Sequence, residues 1–309
     1  MTLKLGTRGS ALALAQSGLV ADAIRAATGR PVELVEITTT GDVSSAPIAG
    51  LGVGVFVSAL RDALTAKDVD IAVHSYKDLP TAAADGLHIA AIPVRADPRD
   101  ALVARDGLTL NGLPDGARIG TGSVRRIAQL SALGRGLVCV PIRGNVDTRL
   151  RKVADGELDA VVLARAGLAR LGRAAEATEI LDPMLMLPAP AQGALAVECR
   201  ADDGELLELL AVLDDPATRA AVTAERAMLA KLEAGCSAPV AALAEVAEGD
   251  TGLEIYLRGA VFGLDGRFGV RLSRTGTLAE AERVGRLLAD DLLAEGADSV
   301  LGVQHDPNP

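Results

Sequence analysis

The stretch RIGTGSVRRIAQLSAL, residues 118–133, decides the reading of the fold. It follows a turn-rich break, Asn111-Gly112-Leu113-Pro114-Asp115-Gly116, and its first three residues read as a strand. Thr121-Gly122 turns the chain, and Ser123 opens a helix that extends to residue 133. The alternation then repeats, with a strand at 138–142 (VCVPI), a helix at 145–154 (NVDTRLRKVA) and a strand at 160–164 (AVVLA). Strand, turn, helix and strand in succession is the rhythm of βαβ units. The expected fold is therefore α/β around mainly parallel sheets.

The same rhythm precedes this stretch. Strands are expected at 3–6, 32–39, 70–74, 87–93 and 101–104, with helices at 10–28 and 57–66. After it, Pro183, Pro188 and Pro190 mark a second break, followed by a strand at 194–199. Helical patterns cover 205–213 and 216–233, with Pro216 suited to a first helical turn. Beyond Cys236 two strands, at 253–261 and 269–274, and a helix at 278–294 predict a small α+β domain, with the tail from Gln304 frayed. A chain of 309 residues fits two or three such domains.

The composition narrows the function. Aromatics are 2% and tryptophan is absent, so no stacking platform for nucleic-acid bases is expected. The net charge of −10 also argues against a polyanion partner. Yet residues 118–173 hold ten arginines and one lysine against Asp147, Asp155, Glu157 and Asp159. A basic island in an acidic chain points to a local site for a small anion. Cys139, Cys199 and Cys236 are odd in number and widely spaced, which is no disulfide framework. His74, His88 and His305 share no ligand spacing with them, so no metal site is expected. Lys4 and Arg8 before an apolar run superficially resemble a leader, but Gln16 and Ser17 interrupt it, and an amphipathic helix opened by Ser10 fits better. No run approaches 18 apolar residues, so no membrane span is expected and the location is read as cytoplasmic.

Five constellations could carry chemistry. Thr7-Arg8-Gly9-Ser10 lies where a strand gives way to a helix, whose first N–H groups and positive dipole end attract anions; taken alone it reads more simply as a serine cap beside a solvated arginine. His74-Ser75-Tyr76-Lys77-Asp78-Leu79-Pro80 follows a strand, where α/β sheets place ligand sites, and Lys77 with Asp78 could form an acid/base pair. The alternative is a polar loop closed by Pro80. Arg125 and Arg126 stand in a helix's first turn, where a cation opposes the dipole at a cost of a few tenths of a kcal/mol each, roughly. That suggests an anionic ligand restoring the balance; two surface arginines is the competing reading. Arg143-Gly144-Asn145 and Arg149 repeat the design, and arginine's planar fork suits a carboxylate. Cys236 sits in a Gly/Ser/Pro turn, accessible as an attachment point or simply incidental.

Taken in order, these segments resemble the hydroxymethylbilane synthase (porphobilinogen deaminase) family: T-R-G-S, A-V-H-S-Y-K-D-L-P, D-P-R-D-A, G-T-G-S-V-R-R, R-G-N-V-D-T-R, Q-G-A-L-A-V-E-C, T-A-E-R-A and L-E-A-G-C-S-A-P. The resemblance implies two periplasmic-binding-protein-like lobes, 1–96 with 194–213 and 99–189, and a smaller α+β C-terminal domain at 216–309. It implies a transferase that condenses four porphobilinogen molecules onto a dipyrromethane cofactor held by a thioether to Cys236, releasing ammonia and then hydroxymethylbilane. Asp78 matches the family's catalytic aspartate, a carboxylate placed to stabilise the positive charge that develops near the pyrrole nitrogen as the amine leaves. Cofactor contacts carry over to Lys77, Asp78, Thr121, Ser123, Arg125, Arg126 and Arg143, and substrate contacts to Arg8, Ser10, Phe56, Arg149 and Arg170. A monomer is expected, with uroporphyrinogen-III synthase as the consumer of the product.

The chain departs from the family pattern in places. Ala49-Gly50-Leu51-Gly52-Val53-Gly54-Val55-Phe56 lacks the lysine usual in this glycine-rich loop, with Val53 in its position. Ala191 replaces a glycine, and Arg165 and Tyr76 stand at positions more often apolar, Arg165 as a candidate extra carboxylate ligand. Two other readings stay open: a two-lobed binding protein for an anionic metabolite, suggested by the lobes alone, and a loop-impaired paralogue, suggested by Val53.

Overall fold

The computed structural model describes residues 2–37, 55–233, 238–249 and 252–301, with 55 and 56 described by backbone alone. Its contacts divide the chain into two compact units, residues 1–96 with 193–219 and residues 97–192 with 220–309.

The first unit opens with β1 (Leu3–Thr7) and α1 (Ala11–Thr28). Ser10 caps α1, its hydroxyl accepting from the Ala13 amide at 3.3 Å, and Gly29 ends it in the left-handed region. Then follow β2 (Val32–Glu36), α2 (Val55–Thr65), β3 (Ile71–Ser75), a 3-10 turn at Tyr76–Asp78 and β4 (Leu87–Ala91). The chain passes into the second unit for β5 (Asp100–Ala104), β6 (Arg118–Gly120), α3 (Val124–Ala132), β7 (Val138–Val140), α4 (Val146–Ala154), β8 (Ala160–Ala164), α5 (Arg165–Arg170) and β9 (Glu179–Ile180). It returns as β10 (Leu195–Arg200) and α6 (Gly204–Ala211), and leaves again along α7 (Pro216–Lys231). The last part of the chain is β11 (Val240–Gly249), β12 (Gly252–Phe262), β13 (Gly269–Thr277) and α8 (Ala281–Ala294).

Each unit is built on a five-stranded sheet, in the orders β2-β1-β3-β10-β4 and β7-β6-β8-β5-β9. The expectation of mainly parallel sheets needs correction. β1 pairs in parallel with β2 and β3, and β6 with β7 and β8, as βαβ units require. But β10 is antiparallel to both β3 and β4, and β5 to both β8 and β9. The sheets are mixed because the crossing strands, β5 and β10, enter from the other unit instead of through a helix on the same sheet. Their cores are apolar: Leu5, Ile24, Ile71, Val197 and Leu210 in the first, Leu102, Ile119, Leu130 and Leu181 in the second, all no more than 1% exposed. Each such side chain contributes about 1.5–3 kcal/mol on burial.

The C-terminal part has three strands where two were expected, in the order β11-β12-β13. β11 begins Val240-Ala241-Ala242-Leu243-Ala244, and alanine carries little strand signal. One face of this sheet packs on α7 and α8 through Met228, Leu257, Leu288 and Leu292. Those helices lie so close that a Cβ on Gly285 would fall 2.1 Å from the Ala224 carbonyl oxygen. Ala241, Leu243, Ala260 and Phe262 cluster instead with Ala128 of α3 and with Leu187.

Candidate active site

In the second unit the sequence-predicted residues gather at one edge. β6, β7 and β8 run parallel, so their carboxyl ends lie together. Thr121, Ser123, Arg125 and Arg126 follow β6, Arg143 and Arg149 follow β7, and Arg170 stands on α5 after β8. Gly144, at φ 95, makes the turn into α4, and Asn145 caps that helix through the Thr148 amide at 2.9 Å. Ser123 starts α3 without a side-chain capping bond; its amide donates to Thr121 Oγ1 at 3.2 Å.

Arg125 and Arg126 are neither surface arginines nor open to solvent. They are 3% and 5% exposed, and Asp100, fully buried at the start of β5, accepts from Arg125 Nη2 and Arg126 Nη2, each at 2.8 Å. Their Nη1 groups donate to the carbonyl oxygens of Leu187 and Val162, and Gln192 Nε2 adds a third bond to Asp100 at 2.8 Å. Burial alone would raise the Asp100 carboxyl; the two guanidiniums outweigh it and hold it far below the carboxylate range. An anion that offsets these first-turn cations is thus supplied by the chain itself, which corrects the expectation that an anionic ligand restores the balance.

One carboxylate against two guanidiniums still leaves a surplus of positive charge. The Nε of both Arg125 and Arg126 is buried and meets no acceptor among the described residues. Arg149 donates from Nε to the Gly144 carbonyl at 2.9 Å, and burial, reinforced by the charge of Arg126, lowers its pKa. Burial also lowers Arg170, to about 10. These desolvated cations are suited to carboxylates. Arg165 differs, since its Nε lies 3.0 Å from Asp97, which also receives Arg99.

In the first unit β1 and β3 are parallel neighbours, so Arg8 and Ser10 share a sheet edge with Lys77 and Asp78. Asp78 is exposed on its 3-10 turn, while Lys77 and Arg8 are half-buried. The base of the turn is fixed: Gln16 on α1 donates from Nε2 to Ser75 Oγ at 2.9 Å, and Leu79 is buried beside Val57 and Ala196. Cys236, Val53 and the side chain of Phe56 lie outside the described residues.

Sequence reasoning overlooked Asp100 and Glu198. Each had a signal, an acid at the edge of or inside an apolar strand run, D-A-L-V-A and L-A-V-E-C. Among the described residues no group of three or more His, Cys, Asp or Glu could hold a metal ion, and no helix is long and apolar enough to cross a membrane.

The model of the porphobilinogen deaminase dipyromethane cofactor binding domain matches residues 3–208, and that of the family's C-terminal domain matches residues 219–294. Proteins named porphobilinogen deaminase are similar along nearly the whole chain. The one from Nocardia farcinica is 61% identical over 97% of this chain and 88% of its own length. Those from Mycobacterium avium and Mycobacterium tuberculosis are 58% and 59% identical, covering 99% and 98% of this chain and 98% and 100% of theirs. Among solved structures, the methionine binding protein MetQ aligns with 69% of this chain and 89% of its own at 13% identity and a TM-score of 0.45. Matched by both of the family's domain models and by full-length relatives, the chain belongs to the porphobilinogen deaminase family.

Proposed function

We infer that this chain is a transferase that deaminates porphobilinogen, joining four molecules head to tail on a dipyrromethane primer and releasing the linear tetrapyrrole hydroxymethylbilane. The observation that carries this reading is identity of 58–61% to porphobilinogen deaminases over nearly the whole chain. The chemistry of the arginine edge fits the cofactor, since each pyrrole bears an acetate and a propionate. Two buried guanidiniums facing one internal carboxylate leave room for further anions.

The reading assigns roles residue by residue. Arg125, Arg126, Thr121, Ser123 and Arg143, with Lys77 and Asp78, would hold the cofactor, tethered through a thioether to Cys236. Bound there, the dipyrromethane supplies the primer to which pyrrole units are added. Arg8, Ser10, Arg149, Arg170 and Phe56 would take the carboxylates and ring of the incoming substrate. The Asp78 carboxylate, exposed on its turn, would stabilise positive charge at the substrate's pyrrole nitrogen as ammonia departs and manage the proton there. A cytoplasmic location is in keeping with free Cys139 and Cys199, and a monomer is expected. Uroporphyrinogen-III synthase would consume the product.

Incubation with porphobilinogen tests the activity: ammonia release, and porphyrin after oxidation, are expected. Binding without either product would favour the two-lobed binder. The intact mass should exceed the chain mass by two linked pyrrole units and lose that increment in Cys236→Ser; a bare chain mass in active wild-type protein would refute the tether. Asp78→Ala should abolish turnover with the fold unchanged, and ordinary turnover would remove Asp78 from its role.

A further inference from the structure

The first unit buries an ion cluster that none of the assigned roles uses. Glu198 on β10 is 2% exposed and His74 on β3 is 5% exposed. Arg61 on α2 reaches both Glu198 oxygens, Nη2 to Oε1 at 2.8 Å and Nε to each at 3.1 Å. His74 Nε2 lies 3.1 Å from Glu198 Oε2. Burial would raise the Glu198 carboxyl, but the hydrogen bonds from His74 and Arg61, with the Arg61 charge, prevail and hold it below the ordinary range. An ionised carboxylate can only accept, so His74 Nε2 carries the proton and donates it.

This cluster stands directly under the turn that carries Asp78. Successive strand residues point to opposite faces, so β3 is gripped from both sides just before the turn begins. His74 is held by Glu198 on the α2 side, and Ser75 by Gln16 of α1 on the other. After the turn, Leu79 is 2% exposed and packed with Val57 and Ala196. Tyr76, Lys77 and Asp78 therefore project from three fixed points. A buried ion cluster is a poor device for stability, because apolar residues of equal volume often serve as well. Its hydrogen bonds instead fix direction, as the supports of a reacting group must.

We propose that Glu198 is a positioning residue for the reaction: through His74, with Arg61 fixing its carboxylate, it orients the Lys77-Asp78 turn toward the substrate. The proposal rests on the assignment of Asp78 given above. Glu198→Gln keeps the shape and removes the charge. In that variant kcat for ammonia release should fall roughly 10- to 100-fold with KM within about twofold, as expected when a reacting group is displaced without loss of binding. Arg61→Lys should restore much of the loss seen in Arg61→Leu.

The orientation itself has a separate readout. With three histidines in the chain, the His74 ring N–H can be assigned by comparison with His74→Gln. It should appear as a slowly exchanging low-field proton resonance in wild type and vanish in Glu198→Gln, while the amide resonances of residues 76–79 shift. If Glu198→Gln does not fold, His74→Gln, which leaves the Glu198–Arg61 pair in place, decides by the same kcat criterion. Unchanged kcat after loss of the His74 signal would overturn the proposal. If wild-type protein releases no ammonia, the functional reading fails, and the amide shifts at 76–79 still decide whether Glu198 orients the turn.

Discussion

Two carboxylates lie at the heart of the two five-stranded sheets, and their surroundings differ in one respect. Glu198 faces one arginine and one histidine, with Arg61 still 19% exposed along its side chain. Asp100 faces two arginines, and all three side chains are at most 6% exposed. The first sets one permanent cation, Arg61, and an imidazole against its carboxylate. The second holds two buried permanent cations against one carboxylate, a surplus that a further anion would offset. On the roles proposed above, the count of permanent cations, more than burial, would separate a group that positions the chain from one that receives a ligand.

The largest effect expected from this contrast is in the second unit. Asp100→Leu leaves two guanidiniums buried against each other, and should destabilise by about 3–5 kcal/mol in denaturant unfolding, since breaking a buried pair strands the partner charge. Glu198→Gln should cost less, about 1–3 kcal/mol, because Arg61 can turn to water and the amide still accepts one bond. The reverse order would break the comparison.

Acid should report on both clusters. Both carboxyls are held below their unfolded-state values of about 4, so their contribution is complete above that pH and fades as pH falls toward the folded-state values. A melting-temperature series downward from neutral pH should be level at first and then fall. Asp100→Asn, which cannot titrate, should start lower and lose part of that slope; an unchanged slope would mean that Asp100 is not the group responsible.

The smallest effect concerns Ala191, which adopts φ 59 while its amide is bonded to the buried carboxylate of Glu225. A left-handed alanine is strained by about 1–2 kcal/mol, offset in part by the greater chain entropy of glycine. Ala191→Gly should therefore stabilise by about 1 kcal/mol, read as a rise in melting temperature. Because Gln192 next to it donates to Asp100, Ala191→Gly should stabilise less in the Asp100→Asn background than in wild type if the segment and the cluster act as one.

Much of the fold was legible because it is local. Ser10 and Asn145 announced their helices by type, and the helix starts follow within a residue. The carboxyl ends of β1, β3, β6, β7 and β8 carry the residues singled out for chemistry, as strand-turn-helix spacing indicated. What the sequence hid depends on partners far along the chain. Arg125 and Arg126 show no internal partner until β5 is placed beside them, and Asp100 lies 25 residues from the first. Likewise His74 meets Glu198 across 124 residues. β11 was missed for a different reason, since its alanines fit helix and strand alike.

The insertion of β10 between β3 and β4 has a consequence for synthesis. These two strands are never paired with each other; each waits for the same partner. On a ribosome adding about 5–20 residues per second, that partner emerges several seconds after β4 is complete. Until then the nascent first lobe exposes two open strand edges, and Arg61 and His74 lack their common acceptor. The sheet that holds β1 therefore cannot be completed before the second five-stranded sheet, whose last strand ends at Ile180. A chain released early, before residue 195, would carry unprotected edges suited to pairing with other chains.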